Sequence, residues 1–82
     1  MNSDFIFNRM MEYIIKDDFD NAKRSAISDI SKQNENPISF MIINTAKDNL
    51  ELIKIMAGFN SMNNKIKNYY NNPEQALIDY KL

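Results

Sequence analysis

The chain reads as an all-α protein: a single small domain of about four to five helices built from helical hairpins. Three observations carry that reading. Apolar residues recur at three- and four-residue spacing, helix-opening residues stand at Ser3, Asp18, Asn36, Asp48 and Asn72, and one glycine and two prolines are all that interrupt 82 residues.

Ser3 is placed to cap the first helix, with Asp4 in the first turn where a carboxylate meets the positive end of the helix dipole. Ile6, Met10, Tyr13 and Ile14 then share a face, with Phe7 and Met11 beside them, which predicts a helix over residues 3–16. In Lys16-Asp17-Asp18-Phe19-Asp20 short acidic side chains open a second helix by accepting backbone N–H groups. Phe19, Ala22, Ala26, Ile27 and Ile30 form its apolar stripe, opposite a polar face of Lys23, Arg24, Ser28, Asp29 and Lys32. Residues 3–32 therefore predict an antiparallel hairpin.

Asn36-Pro37 opens a third helix, because proline at the first helical position gives up an N–H that has no intrahelical partner anyway. Ile38, Met41, Ile42 and Thr45 keep helical spacing there, although Ile38 to Ile43 is β-branched and aromatic enough to suit a strand as well. Asp48 and Glu51 have the spacing of a capping box and divide this stretch into helices over about 37–46 and 48–57; one long helix is the alternative. Gly58 stands where a left-handed C-cap is expected. Residues 60–72 are nearly half asparagine, a short helix or an ordered loop, and Asn72-Pro73-Glu74-Gln75 opens a last helix over 73–80 docked by Ala76, Leu77 and Tyr80. Glu12 to Phe19 and Ile42 to Leu50 echo each other, each an apolar helix end, then Lys-Asp-polar, then an apolar start. Two such units without repeat glycines read as ordinary helix–turn–helix connections.

The composition narrows function by elimination. Ten Lys+Arg against eleven Asp+Glu leave a net charge of −1, without the positive excess that drives generic binding to nucleic acid or anionic lipid. With no Cys and no His, thiolate chemistry and the commonest general base and metal ligand are missing, and Ser25, Ser28 and Ser31 have no histidine to activate them. The carboxylates are spaced as solvated helix faces, and Asp17, Asp18 and Asp20 lack the glycine and the alternate acids of a calcium loop. A non-enzymatic protein without cofactor or metal is expected. The longest apolar run is Phe40-Met41-Ile42-Ile43, no basic region and apolar stretch opens the chain, Asn2 replaces the glycine of a myristoylation signal, and no cysteine is present for prenylation. These features predict a cytoplasmic protein.

Two surfaces suggest binding. Phe5, Phe7, Met11, Ile15, Phe40, Ile43, Ile55 and Phe59 offer more apolar helix face than so small a core readily covers, which predicts a protein partner or a homo-oligomer, with Phe7, Met11, Ile15, Ile55 and Phe59 as the contact. Lys65, Lys67, Tyr69 and Tyr70 interleave cations with aromatic rings, the chemistry that contacts phosphates and stacks on bases; the competing expectation is a packing stripe of Met62, Ile66, Tyr69 and Tyr70.

The stretch Ile15-Lys16-Asp17-Asp18-Phe19-Asp20-Asn21-Ala22-Lys23, in a short Asn-, Ile- and Lys-rich helical chain, resembles the cytoplasmic antiholins, the lysis-inhibition accessory proteins of T-even bacteriophages. The likeness spans the whole chain and transfers no single functional residue. It implies a non-enzymatic inhibitor that binds the cytosolic segment of the phage holin, working with a second, periplasmic antiholin to delay host lysis. A nucleotide- or nucleic-acid-binding protein using Lys65, Lys67, Tyr69 and Tyr70, and a neutraliser of a host protein, are the rival expectations.

Overall fold

The helix boundaries follow from which short polar side chains lie within reach of unpaired backbone groups. A computed structural model describes residues 3–33, 36–60 and 62–81, with the backbone alone at Ser3. They form α1 (Ser3–Ile14), α2 (Phe19–Gln33), α3 (Pro37–Asn44), α4 (Asn49–Gly58), the single-turn α5 (Asn64–Lys67) running into a 3₁₀ turn at Asn68–Tyr70, and α6 (Pro73–Lys81). No strand occurs among the described residues. Ser3 is already helical, and the side chain expected to cap α1 lies outside the described residues.

α1 stops two residues short of the expected end because Asp17 takes a left-handed conformation, φ 58°. The amide of Asp18 donates to the carbonyl of Tyr13 at 3.0 Å and that of Asp17 to Ile14 at 2.9 Å, the paired bonds of a Schellman motif built on aspartate. Asp18 then turns outward to cap α2, its Oδ1 accepting from the amide of Asn21 at 3.2 Å and its Oδ2 from the Asn21 side chain at 2.8 Å. Gly58, expected in that left-handed role, is instead the last residue of α4 at ordinary φ. Its use is steric: a Cβ there would sit 3.3 Å from Cδ1 of Tyr70, so glycine lets the ring lie against the helix end.

The stretch from 37 to 58 divides as the capping residues predict. Asn36 Oδ1 accepts from the Ile38 amide at 3.0 Å with Pro37 in the first helical position. Asp48 Oδ1 accepts from the Glu51 amide at 2.9 Å, and Glu51 Oε1 reaches back to the amide of Lys47 at 3.0 Å, one residue before the usual capping-box partner. The carbonyls of Asn44 and Ala46, at the end of α3, each take a hydrogen bond of 2.8 Å from the ammonium of Lys23, which thereby sets α3 antiparallel to α2. Between 60 and 72, Asn63 caps α5 through its bond to the Ile66 amide at 3.1 Å. Gln75 does not close a capping box on α6; its amide nitrogen donates to Asp79 Oδ1 at 2.9 Å, one turn further on. The two echoing turns meet in space, Asn49 Nδ2 lying 3.5 Å from Asp17 Oδ1. Asn49 Oδ1 stays buried without a partner, since turning the amide over would aim that oxygen at a carboxylate.

The core runs along α1 and α4. Phe7, Met10 and Met11 of α1, Ile43 of α3 and Leu52 and Ile53 of α4 are its largest fully buried side chains. Phe7 stacks on Tyr69 at 5.7 Å between ring centroids, and Tyr80 closes the cluster at 5.9 Å from Phe7 and 6.4 Å from Tyr69, tying α1, the 3₁₀ turn and α6 together. The fully buried side chains of α2 are small, Ala22, Ser25 and Ala26, joined by Asp29, while Phe19, Ile27 and Ile30 pack against the core partly buried. Asp29, placed by its spacing on the solvent face, is only 5% exposed and accepts a 2.8 Å bond from Arg9 Nε on α1. That buried charge is kept because its partner stands directly opposite.

Candidate functional site

Of the expected apolar surplus, Phe5, Ile15 and Phe59 are exposed, whereas Phe7, Met11 and Ile43 are core; the exposed apolar side chains that lie together are on α3. α3 and its flanks, Asn36 to Ala46, contain no charged residue, and α3 is apolar on both sides, so its spacing alone cannot orient it. Ser39 and Ile43 turn inward, with Phe40 half-buried. The stripe picked out by spacing faces solvent: Ile38 is 61%, Met41 66% and Ile42 40% exposed. These three, at i, i+3 and i+4, form one contiguous face on a helix fixed at its start by Asn36 and at its end by Lys23.

The residues expected to make the partner contact do not form one surface. Phe7, 1% exposed, and Met11, 0%, are core residues with no surface left for a partner, Phe7 being stacked on Tyr69. Ile55 is half-buried against the core. Ile15 and Phe59 are exposed but separate, Ile15 in the turn after α1 and Phe59 after α4, where it borders a notch lined also by Ile6, Phe7, Ile30 and Met56. Phe5 and Ile78 are further exposed apolar side chains, and Phe5 is covered on one side by the Arg9 guanidinium, 5.6 Å from its ring centre.

The expected base- and phosphate-contacting quartet is divided in the same way. Tyr69 is 2% exposed, and its hydroxyl donates to Asp79 Oδ2 at 2.6 Å. Lys65 lines a groove with Asp4, Asn8, Asn63, Asp79 and Tyr80, a polar seam in which Tyr80 donates to Asn8 Oδ1 at 2.6 Å and Asn63 to Asp4 Oδ1 at 2.8 Å. Lys67 and Tyr70 share a different groove beside Gly58. Met62 is exposed, so the rival packing stripe holds only at Ile66 and Tyr69.

The titration of these groups is structural. Burial, then the bond to Asp79, raises the Tyr69 phenol above its usual range. The hydrogen bonds from Tyr69 and then Gln75 lower the Asp79 carboxyl. Burial, then the negative charge of Asp4, raises Tyr80. All three shifts move away from neutrality, the wrong direction for a general acid or base at physiological pH. No group of three metal-ligating side chains occurs among the described residues, and no helix among them is long and apolar enough to cross a membrane.

Periodicity had found the Ile38, Met41 and Ile42 stripe; the complete absence of charge from Asn36 to Ala46 was the sequence signal that this helix has no side built for water. No protein-family model, no curated protein and no solved structure matches the chain.

Proposed function

We propose that this chain is a non-enzymatic, helical binding protein that takes an apolar segment of another protein against the exposed face of α3. Following the resemblance to phage antiholins, the segment is the cytosolic part of a holin in the host cytoplasm, held away from pore-forming assembly. The observation that supports the reading is the uncharged face of Ile38, Met41 and Ile42 on a helix whose two ends are pinned. A fixed apolar helix face suits a partner helix presenting its own i, i+3, i+4 residues.

The size of the face bears on the kind of contact. Completing the burial of three partly exposed side chains is worth about 3–5 kcal/mol of gross apolar transfer, less than association itself costs. The face anchors a larger contact or a weak, reversible one. Reversible binding shifts a population of holin away from the pore by as much as it prefers the unassembled form.

Co-expression with the holin tests the reading. The native chain is expected to delay lysis and to co-purify the cytosolic segment; Ile38→Ser/Met41→Ser/Ile42→Ser is expected to stay folded and lose both effects. Unchanged lysis timing with no holin recovered rejects it. Recovery of a host protein in its place makes the chain a neutraliser of that protein, and self-association lost in the triple variant makes the face a homo-oligomer contact.

A further inference from the structure

A second site, independent of α3, lies where the end of α4 meets the 3₁₀ turn. Ala57, Gly58, Lys67, Asn68, Tyr70 and Asn71 line an open groove of about 390 Å³ that contains no carboxylate. That volume is within the ~300–1,000 Å³ range of small-ligand sites. Its wall is the ring of Tyr70, 46% exposed and packed against the end of α4. Gly58 permits that approach, since a Cβ would stand 3.3 Å from Cδ1 and 3.4 Å from Cε1 of the ring. Lys54, one turn before Gly58 on α4 and beside the groove, rests its ammonium 4.9 Å from the ring centre. Glycine is the poorest helix former after proline, and this helix ends on one without using a positive φ. What the glycine accomplishes is to seat an aromatic ring that remains half open to solvent.

We propose that this groove binds a nucleotide unit, a planar base with its phosphate, the base stacking on Tyr70 and the phosphate held by Lys54 and Lys67. The chemistry of the lining matches each part of such a ligand. An exposed aromatic ring stacks on any base, because every base has a π-face. The amides of Asn68 and Asn71 each offer a donor and an acceptor, the complement of a base edge. Lys54 is the group that moves: an exposed cation–π contact is weaker than base stacking on the same ring, so the base takes the ammonium's place and the flexible side chain turns to the phosphate. Two lysines engage about two phosphates, which sets a shallow salt dependence, a slope of roughly −1.4 in log–log form for a single strand. The site is therefore suited to one or two nucleotides and needs no overall positive charge on the chain.

Fluorescence anisotropy with a labelled single-stranded thymidine octamer, competed by free thymidine and adenosine monophosphates, tests the proposal on the full-length chain. Saturable binding with that shallow slope is expected. Tyr70→Ala and the double change Lys54→Glu/Lys67→Glu should each weaken it at least fivefold, while Tyr70→Phe keeps it. Lys65→Glu, in the separate groove facing Asp4 and Asp79, should leave it unchanged. Gly58→Ala, whose Cβ requires the ring to give by only a few tenths of an ångström, should weaken binding less than Tyr70→Ala does. Full competition by monophosphates assigns the site to free nucleotides, and none assigns it to single strands. The absence of saturable binding to any of these probes, or binding that Tyr70→Ala leaves intact, overturns the proposal.

Discussion

α2 and α3 lie side by side, antiparallel, and break the usual inside–outside rule in opposite directions. α2 turns a carboxylate, Asp29, into the protein, whereas α3 turns Ile38, Met41 and Ile42 out of it. The difference is one of size and partner. The fully buried positions of α2 are Ala22, Ser25 and Ala26, flanked by the partly buried Phe19, Ile27 and Ile30, and among them Arg9 of α1 reaches Asp29. α3 is apolar on more than one side and has room beneath it for only one, so Ile43 takes the core position, Phe40 is half-buried, and Ile38, Met41 and Ile42 are left outside. A stripe of apolar residues thus says that a helix has a face; the volume available beneath it decides which face goes in.

The comparison breaks most severely at the inward side of α3. Ile43→Ala should cost about 2–5 kcal/mol, a large share of the roughly 4–12 kcal/mol expected for a domain of this length, read as a lower urea midpoint. In α2, Asp29→Ala removes the partner of a guanidinium that is itself 41% exposed and so can return to water; a smaller loss of about 1–2 kcal/mol is expected. Asp29→Leu, which refills the site, should recover part of it. Lys23→Met, which strips the two hydrogen bonds from the end of α3, should cost about 0.5–1 kcal/mol, visible as faster amide exchange in α3 before the rest of the molecule. At the outward face, Ile38→Ser/Met41→Ser/Ile42→Ser should change stability by no more than about 0.5 kcal/mol per site; a large fall in melting temperature would show that α3 is packed the other way round.

The seam between α1, the 3₁₀ turn and α6 adds a dependence on pH. Asp79 has its folded pKa below the ordinary value of 3.8, so its contribution is complete above that value and is lost as the pH falls through the folded pKa. Tyr69 and Tyr80, raised above 10.0, contribute below that pH and lose their effect as the pH rises beyond it. Melting temperature should therefore stay level through the neutral range and drop at both extremes, and Tyr69→Phe should flatten the acid drop.

The legible features were local. Asn36 with Pro37, Asp48 with Glu51 and Asp18 before α2 mark helix starts because the hydrogen bonds they make span two to four residues. The less legible ones depended on neighbours distant in the chain. Gly58 looks like a C-cap until Tyr70 is seen against it, and the left-handed residue is Asp17, whose type gives only a mild hint. Tyr69 and Tyr70 are adjacent and chemically identical, yet one is stacked on Phe7 and the other borders an open groove. Lys65 and Lys67 are two apart and serve different grooves, since a single helical turn sends them to different sides.

By itself, then, the sequence determined an all-α class, helix starts at Asp18, Asn36 and Asp48, and an excess of apolar side chains for so small a core. Those follow from backbone capping and from composition, which act at short range or need no geometry. Only the tertiary structure decided that a contiguous part of the excess is shown on α3, that Phe7 and Met11 are core, that Asp29 is buried and that Tyr70 alone of the aromatic pair is open. Each of those outcomes is a competition for the same limited volume among side chains far apart in the chain, and such a competition is settled by close packing, in which spacing along one helix has no say over the helix that meets it.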